Sequence, residues 1–273
     1  MGRVILRSSN GSAARFSVPW LFRSRYFNRS FHKPHGFPGD FWIIEWIYDL
    51  EGISDGEPTQ PAIVNCLDYV FSTLPSVQSA WERRRYFAQL LTNEHRRKAG
   101  RLRILDVACG GSRYTRDFLS TLTDDSKVEI TLLEQDAAAV EYCRTVSLSQ
   151  WISQLTIHCD PVDRLCEAVA GRKFDVVISS GLFDYLDNKQ AGQFLVDMLA
   201  HTAAGGIIAV ANFHPADPSR AVNEWLVDWP LIYRDESALS ALFPKSALVE
   251  TAQSQNKALA YASARQKGRR RVS

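Results

Sequence analysis

The sequence predicts an α/β protein with a doubly wound, Rossmann-like seven-stranded sheet and a helical segment before it. Three observations support this fold class. From residue 102 onward, short apolar runs alternate with stretches of helical period, a pattern typical of a mostly parallel sheet covered by helices. Before residue 100, apolar residues recur at helical spacing. Near the C-terminus, two strand-like runs flank the polar sequence SQNK, which indicates a closing pair of strands.

The N-terminal part is predicted to divide into an arm and a helical segment. Residues 1–30 are rich in Ser, Arg and Gly, and we expect an arm that lies across the body or is partly disordered. Residues 31–42 contain two prolines and two glycines, which predicts a rigid loop, and Asp40 is placed to cap the helix that follows. Helices are predicted over 41–52, 61–74 and 76–98, so residues 31–100 are predicted to form a cap or lid.

Residues 101–266 are predicted to form the Rossmann-like domain, and residues 267–273 a basic tail. The predicted strands lie at 103–108, 127–136, 155–159, within 173–186, and at 206–213, 247–253 and 257–266. The predicted helices lie at 113–123, 137–150, 188–206 and 235–243, the third of them ending at Gly205 and Gly206.

Composition excludes several classes of function. The chain of 273 residues carries 32 Lys and Arg against 30 Asp and Glu, and its net charge of +2 provides no basic field for nucleic acid. Its five cysteines show no C-x-x-C spacing, so neither a disulfide framework nor a metal site is expected. No apolar run reaches the roughly 18 residues of a membrane span. We expect a cytoplasmic protein without stable membrane insertion that acts on a small molecule, and a homodimer is kept as a candidate assembly.

The turn after the first predicted strand carries the main functional signal. It reads Asp106-Val-Ala-Cys-Gly-Gly-Ser and lies beyond the carboxyl end of a strand, where ligands bind in a doubly wound sheet. A dinucleotide would require the G-x-G-x-x-G spacing, which is absent, and the acid would repel its diphosphate. S-adenosylmethionine fits better because it bears an ammonium and a sulfonium group. We predict that Asp106, Ala108, Cys109 and Gly110 bind this cofactor.

The ends of the next strands extend the predicted cofactor site. Glu134 follows the second strand, at the distance from the turn where an acid holds ribose hydroxyls. Asp160 follows the third strand and is placed to accept a hydrogen bond from the adenine amino group. The predicted contacts at these ends are Glu134, Gln135, Asp160, Pro161, Ser180, Gly181 and Leu182. Together the four strand ends resemble class I S-adenosylmethionine-dependent methyltransferases, and the resemblance implies their seven-stranded sheet.

Four further segments stand out: HKPHGFPGDFWIIEWIY (32–48), SAWERRRYF (79–87), SSGLFDYLDNKQAGQFL (179–195) and ANFHPADPSRAVNEWLVDWPLIYRDE (211–236). In combination they resemble one bacterial family, the biosynthesis proteins of the extracellular factor 3-hydroxypalmitic acid methyl ester. The resemblance implies methyl transfer from S-adenosylmethionine to a carboxylate or a similar oxygen of a small molecule. It also implies that the loop HGFPGDF (35–41) forms part of a lid over the site.

The acceptor side is predicted from residues past the fourth and fifth strands, where the methyl acceptor lies in this layout. His214 and Tyr185 are the candidate catalytic residues, with His214 as the base for an alcohol or an amine. The predicted acceptor contacts are Phe37, Asp40, Asp184, Tyr185, His214, Trp229, Tyr233 and Arg234. Arg84 or the neighbouring Arg85 is predicted to reach the cofactor carboxylate or an acidic substrate. The structural alternatives are helix caps for the acids, core packing for the rings and a solvated helix face for Arg84.

Three functions are compatible with these residues. The first is O-methylation of a small-molecule carboxylate or hydroxyl in a biosynthetic pathway. The second is N-methylation of a small biosynthetic intermediate, and the third is a non-catalytic cofactor-binding partner of another enzyme. The acids at the strand ends argue against the third. Nucleic-acid methylation ranks lower, because the sequence has no N-P-P-Y or D-P-P-Y tetrapeptide after the fourth strand.

Overall fold

A mixed sheet forms the centre of the molecule in a computed structural model that describes residues 19–51 and 62–267. Its strands are β1 (Leu102–Val107), β2 (Val128–Leu133), β3 (Leu155–His158), β4 (Phe174–Ser179), β5 (Thr202–Phe213), β6 (Val249–Gln253) and β7 (Leu259–Arg265). The order across this seven-stranded sheet is β3-β2-β1-β4-β5-β7-β6. Strand β7 runs antiparallel to β5 and β6, and the other pairs are parallel. The predicted doubly wound fold is confirmed, and the strand order reverses between β1 and β4.

Helices precede the sheet and cover both of its faces. They are α1 (Arg25–His32), α2 (Phe41–Asp49), α3 (Ala62–Ser72), α4 (Pro75–Arg97), α5 (Arg113–Ser120), α6 (Ala137–Tyr142), α7 (Leu165–Ala168), α8 (Asn188–Ala200) and α9 (Glu236–Ser240). Within the described part of the chain, none of the helices combines the length and the apolar character that crossing a membrane requires.

The alternation of side chains along β1 divides the core into two layers. Leu102 and Ile104 belong to the cluster that contains residues of α4 and α5. Leu105 and Val107 belong to the cluster on the other face, under α7, α8 and α9. Because successive side chains of a strand point to opposite faces, both layers fill only if β1 carries apolar residues on both of its faces. This explains why Leu102, Ile104, Leu105 and Val107 are apolar, while Arg103 is half-buried and Asp106 is buried near the end of the strand.

A third cluster joins the N-terminal helices to the sheet. Tyr26 and Phe27 of α1 pack with Ile43 and Ile47 of α2, and Trp229, which follows β5, closes the same cluster. Helix α4 connects this cluster to the sheet, because its C-terminal half packs in the first of the two core layers. The helical segment is therefore fixed over the carboxyl ends of the strands by apolar contacts.

The predicted arm needs a correction within its described part. Residue 30, its predicted boundary, falls inside α1, and Ser24 caps this helix by accepting a hydrogen bond from the Phe27 N–H at 3.3 Å. Tyr26 and Phe27 are buried, so this stretch packs with the helical segment. The remainder of the arm, residues 1–18, lies outside the described residues, as do 268–273 of the predicted tail.

One predicted element boundary is also wrong. The helix expected over 188–206 ends at Ala200, and β5 begins at Thr202. The reason is pairing with the neighbouring strand, since the Phe174 N–H donates to the His201 carbonyl at 2.8 Å. Gly205 has φ +76° and lies where the register of β4 and β5 shifts, so it permits a bulge and does not end a helix.

We predict that Phe27→Ala lowers the free energy of unfolding by about 3–5 kcal/mol, the usual cost of removing a buried ring. Phe27 is fully buried and its ring lies 4.9 Å from that of Phe22. Urea denaturation followed by circular dichroism measures the change. Trp20→Ala is the matched control, because Trp20 is 45% exposed and its loss should cost less than about 0.5 kcal/mol. Equal, small effects of both substitutions would show that α1 does not contribute to the core.

Candidate active site

A cavity of about 530 Å³ lies where the strands β1, β2 and β4 end, beneath the helices α2 and α4. From the sheet side it is lined by Ala108, Cys109, Gly110, Gly111, Ser112, Glu134, Gln135, Pro161, Ser180, Gly181, Leu182, Asp184 and Tyr185. From the helical side and the chain after β5 it is lined by Phe37, Phe41, Glu45, Tyr48, Val77, Ala80, Arg83, Phe213, Trp229 and Leu231, among others. Most residues predicted from the strand ends therefore surround one space.

The turn after β1 is held from beneath by Asp106, which is fully buried and does not line the cavity. Its Oδ1 accepts a hydrogen bond from the Tyr114 hydroxyl at 2.5 Å, and its Oδ2 accepts one from Ser112 Oγ at 2.7 Å. Burial raises the pKa of Asp106 to about 7, against the lowering effect of these hydrogen bonds. Ala108 and Gly110 line the cavity, and both have φ of +53°, a backbone conformation that residues with side chains rarely adopt. Asp106 was predicted to contact the ligand directly, but in the structure it holds the turn in place from beneath.

Glu134 links the ends of β1 and β2. Its Oε2 accepts a hydrogen bond from the Gly110 N–H at 2.9 Å, and its Oε1 accepts one from the Asp136 N–H at 3.0 Å. Burial raises the pKa of Glu134, and the backbone hydrogen bonds oppose this effect. Since a carboxylate has about four acceptor sites, Glu134 can still accept hydrogen bonds from a ligand in the cavity. Asp160 does not line the cavity, and its carboxylate lies 3.8 Å from the Arg164 guanidinium.

Past β4, two polar side chains reach the cavity. Asp184 is buried, and its Oδ1 accepts a hydrogen bond from the Phe213 N–H at 2.6 Å. Burial raises the pKa of Asp184 to about 7, although Arg83 and Arg234 act in the opposite direction. The Tyr185 hydroxyl accepts a hydrogen bond from Trp229 Nε1 at 2.9 Å. The predicted acceptor residues Asp184, Tyr185 and Trp229 are therefore brought together.

Of the arginines on α4, Arg83 lines the cavity and the predicted Arg84 does not. Arg83 is 6% exposed, and its Nη1 donates to the Ser180 carbonyl at 3.2 Å. Its Nε has no hydrogen-bond partner among the described residues. Arg84 instead pairs with Asp117, with 2.9 Å between Nη2 and Oδ1. Helical spacing could have identified the correct residue, because Arg83 follows Ala80 by three positions and precedes Phe87 by four, on the buried face of α4.

His214 and Tyr233 also differ from the prediction, because neither lines the cavity. The Nε2 atom of His214 lies 3.2 Å from the Glu236 carboxylate, and its Nδ1 accepts a hydrogen bond from the Ala216 N–H at 3.0 Å. The ring of Tyr233 lies under the guanidinium of Arg220, which is 4.3 Å from the ring centroid. Both side chains are used by contacts within the segment that follows β5.

Asp40 and Arg234 are structural residues in this fold. Asp40 caps α2 by accepting a hydrogen bond from the Ile43 N–H at 3.0 Å, and it forms an ion pair with Arg29 at 2.7 Å. The buried guanidinium of Arg234 donates to the carbonyls of Phe183 and Leu186 and to two asparagine side chains. It thereby fixes the loop that carries Asp184 and Tyr185, without lining the cavity itself.

The strand order, the bare turn after β1 and the acid at the end of β2 define a class I S-adenosylmethionine-dependent methyltransferase. The family model described as "Methyltransferase domain" matches residues 98–267, and this chain belongs to that family. Its cofactor is accordingly S-adenosylmethionine. A search of the curated proteins finds no match.

Solved structures share the fold at low sequence identity. A possible exported protein from Bordetella parapertussis has a TM-score of 0.63 at 18% identity, over 82% of this chain and 79% of that one. Magnesium protoporphyrin IX methyltransferase from Synechocystis PCC 6803, with bound S-adenosylhomocysteine, has a TM-score of 0.58 at 11% identity, over 88% and 98%. An N-methyltransferase from Bradyrhizobium japonicum, also with S-adenosylhomocysteine, has a TM-score of 0.51 at 13% identity, over 82% and 97%. These similarities establish the architecture alone.

The residues present fit this cofactor. At Gly110 the backbone faces the cavity with φ +53°, and a side chain on Gly111 would overlap the Glu45 carboxylate, so the turn stays bare. Glu134 keeps acceptor sites, and the buried Glu45 Oε1 has no partner among the described residues. Carboxylate oxygens of this kind accept hydrogen bonds from hydroxyl and ammonium groups, and S-adenosylmethionine carries both.

We predict that Glu134→Ala raises the dissociation constant of S-adenosylhomocysteine at least tenfold, because it removes an acceptor in the cavity and the bond to the Gly110 N–H. Isothermal titration calorimetry measures the change. Glu129→Ala is the control on the same strand, since Glu129 pairs with Arg101 away from the cavity. An unchanged constant for Glu134→Ala would remove Glu134 from the cofactor site.

We predict that Ala108→Gly leaves the free energy of unfolding unchanged or raises it by up to about 1 kcal/mol. The left-handed backbone costs an L-residue about 1–2 kcal/mol, which exceeds the entropy that glycine adds to the unfolded chain. Ala88→Gly in α4 is the control and should cost about 1 kcal/mol. Thermal and urea unfolding measure both. A loss at Ala108 equal to the control would show that its conformation, with φ +53°, carries no strain.

Proposed function

We propose that this protein transfers the methyl group of S-adenosylmethionine to an oxygen of a small acceptor, and that this oxygen belongs to a carboxylate. The observation that carries the proposal is Arg83, a buried cation in the wall of the cavity. Its Nη1 donates to the Ser180 carbonyl, and the buried Asp184 acts on it electrostatically, without an ion pair between the two side chains within the described residues. A buried charge is stable only when it is paired, and an acceptor carboxylate would pair with the free Nε.

The walls around Arg83 support an acceptor with an apolar body. Ile47, Val77, Ala80, Trp229 and Leu231 line the cavity and belong to the third cluster, to which the N-terminal half of α4 contributes. Such walls bury hydrocarbon or aromatic surface and leave the arginine as the polar anchor. The resemblance to the 3-hydroxypalmitic acid methyl ester family supports the same acceptor chemistry, because the product of that family is a methyl ester.

The main catalytic task of the protein would be to position the acceptor oxygen relative to the methyl group. The cofactor supplies a methyl group that its sulfonium already activates. A carboxylate is ionised at neutral pH and needs no base, so Arg83 would orient the acceptor without removing a proton. Holding the acceptor oxygen in line can supply about 7–11 kcal/mol of the acceleration. The helices α2 and α4 would exclude water from this space.

The cofactor itself is proposed to lie along the strand ends. Glu134 would hold the ribose hydroxyls, and Gln135 and Pro161 would border the adenine. The turn from Ala108 to Gly110 and the residues Ser180 to Leu182 would face the methionine end. This proposal is supported by their common position around the cavity. The cap at 31–100, the domain at 101–266, the cytoplasmic location and the homodimer stay predictions.

Asp184 favours a second candidate function. Its carboxyl group is buried in the same cavity, and its pKa is raised to about 7. Such a group can accept a proton near neutral pH, which a hydroxyl or an amine acceptor would have to lose. The N-methyltransferase alternative therefore rests on Asp184, and the carboxylate proposal rests on Arg83.

A substrate panel distinguishes these functions. Carboxylic acids, alcohols and amines with the same apolar body are incubated with S-adenosylmethionine, and S-adenosylhomocysteine is quantified. We expect turnover of the acids, and Arg83→Met should lower kcat/KM for them at least 100-fold while the dissociation constant of S-adenosylhomocysteine changes less than threefold. Arg84→Met is the control on the same helix and should retain activity.

Three results would contradict the carboxylate proposal. Amine or alcohol turnover that rises as the pH passes about 7 and is lost in Asp184→Asn would support the second candidate, because only the ionised carboxylate accepts a proton. Loss of S-adenosylhomocysteine binding in Arg83→Met would place Arg83 on the cofactor. Cofactor binding without turnover of any class would support the non-catalytic partner protein.

A further inference from the structure

We infer that Glu45, on the helical segment before the sheet, binds the α-ammonium group of the cofactor through its Oε1 atom. The inference rests on the proposed arrangement of the cofactor along the strand ends. It assigns a direct binding role to a helix that lies outside the matched methyltransferase domain, residues 98–267.

Helix α2 aims Glu45 into the cavity. Phe41, Glu45 and Tyr48 recur at helical spacing, and all three line the cavity. The Asp40 cap fixes where this helix starts, and the buried Ile43 and Ile47 fix its rotation against the third cluster. Burying an acid on the inner face of an apolar helix costs free energy unless the acid is paired. The partners of Glu45 therefore show whether its charge is fully compensated within the protein.

The two oxygens of Glu45 have different surroundings. Oε2 accepts hydrogen bonds from Arg113 Nε at 2.7 Å and from the Tyr142 hydroxyl at 3.0 Å. Oε1 is buried and has no hydrogen-bond partner among the described residues. The side chain is only 4% exposed, so bulk water does not readily supply the missing donor. One oxygen is thus held in place while the other remains available to a ligand.

The free oxygen lies over the turn that follows β1. A Cβ atom on Gly111 would overlap Oε1 and would lie 2.7 Å from Cδ of the same carboxylate. Gly111 and Glu45 both line the cavity, so the carboxylate and the bare backbone face the same space. This is the strand end where we place the methionine end of the cofactor, whose ammonium carries three donors.

The local charge also suits a cation. Arg113 forms ion pairs with Glu45 at 2.6 Å and with Asp49 at 2.8 Å, so it is shared between two carboxylates, and Arg116 acts on Glu45 without an ion pair between the two. Asp49 is 64% exposed and is solvated, whereas Glu45 is not. An ammonium group at Oε1 would balance the buried carboxylate and supply its missing hydrogen bond.

The experiment is a double comparison of ligand and variant by isothermal titration calorimetry. The ligands are S-adenosylhomocysteine and its analogue in which hydrogen replaces the α-amino group. We expect the wild-type protein to bind S-adenosylhomocysteine at least tenfold more tightly than the analogue, and Glu45→Gln to reduce this preference to less than threefold. Asp49→Asn is the control, because it removes the other partner of Arg113 and should keep the full preference.

If the wild-type protein and Glu45→Gln prefer S-adenosylhomocysteine over the analogue without the amino group to the same extent, the inference is overturned and the cofactor assignment stays intact. An equal loss of affinity for both ligands would make Glu45 a structural residue, and would also overturn it. Failure of the wild-type protein to bind S-adenosylhomocysteine would instead contradict the cofactor site as a whole. If Glu45→Gln does not fold, Glu45→Asp keeps the charge on a shorter side chain, and we then expect a reduced preference; an unreduced one would again overturn the inference.

Discussion

The cofactor end of the site depends on the buried carboxylate of Asp106. Hydroxyl groups of Tyr114 and Ser112 donate to its two oxygens, and these bonds hold the backbone that leaves β1 in an unusual turn. Within that turn, Ala108 and Ser112 take up positive φ, which residues with side chains rarely adopt. The result is a stretch of exposed backbone on which Glu134 closes from one side and the helical segment from the other.

The helical segment completes the site by placing charged groups on apolar helix faces. Glu45 interrupts the inner face of α2, and Arg83 interrupts that of α4. Each is buried, and each keeps a polar atom without a partner among the described residues. Burying such groups weakens the fold unless a ligand uses them, because an unpaired buried polar atom loses its hydration without compensation. We therefore expect ligands to bind at Glu45 and Arg83 and to supply the missing hydrogen-bond partners.

The sequence locates the residues around the cavity most directly where the backbone alone positions them. Glu134, Pro161 and Gly181 follow strands whose ends must meet at one edge of the sheet, so counting strands locates them. His214 and Arg234 follow a strand as well, but the chain beyond β5 is irregular, and its own contacts decide where each side chain lies. Arg83 and Arg84 are neighbours in a run of three arginines, and the phase of the buried face of α4 is what separates them.

The sequence by itself determined the class of fold, the methyl donor and the strand ends that surround it. These depend on the period of apolar residues and on one short turn, both of which are local properties of the chain. The tertiary structure decided which of the charged side chains beyond the strand ends face the cavity and which form ion pairs. That choice depends on how α2 and α4 rotate when they pack over the sheet, and a rotation of one residue would exchange Arg83 for Arg84.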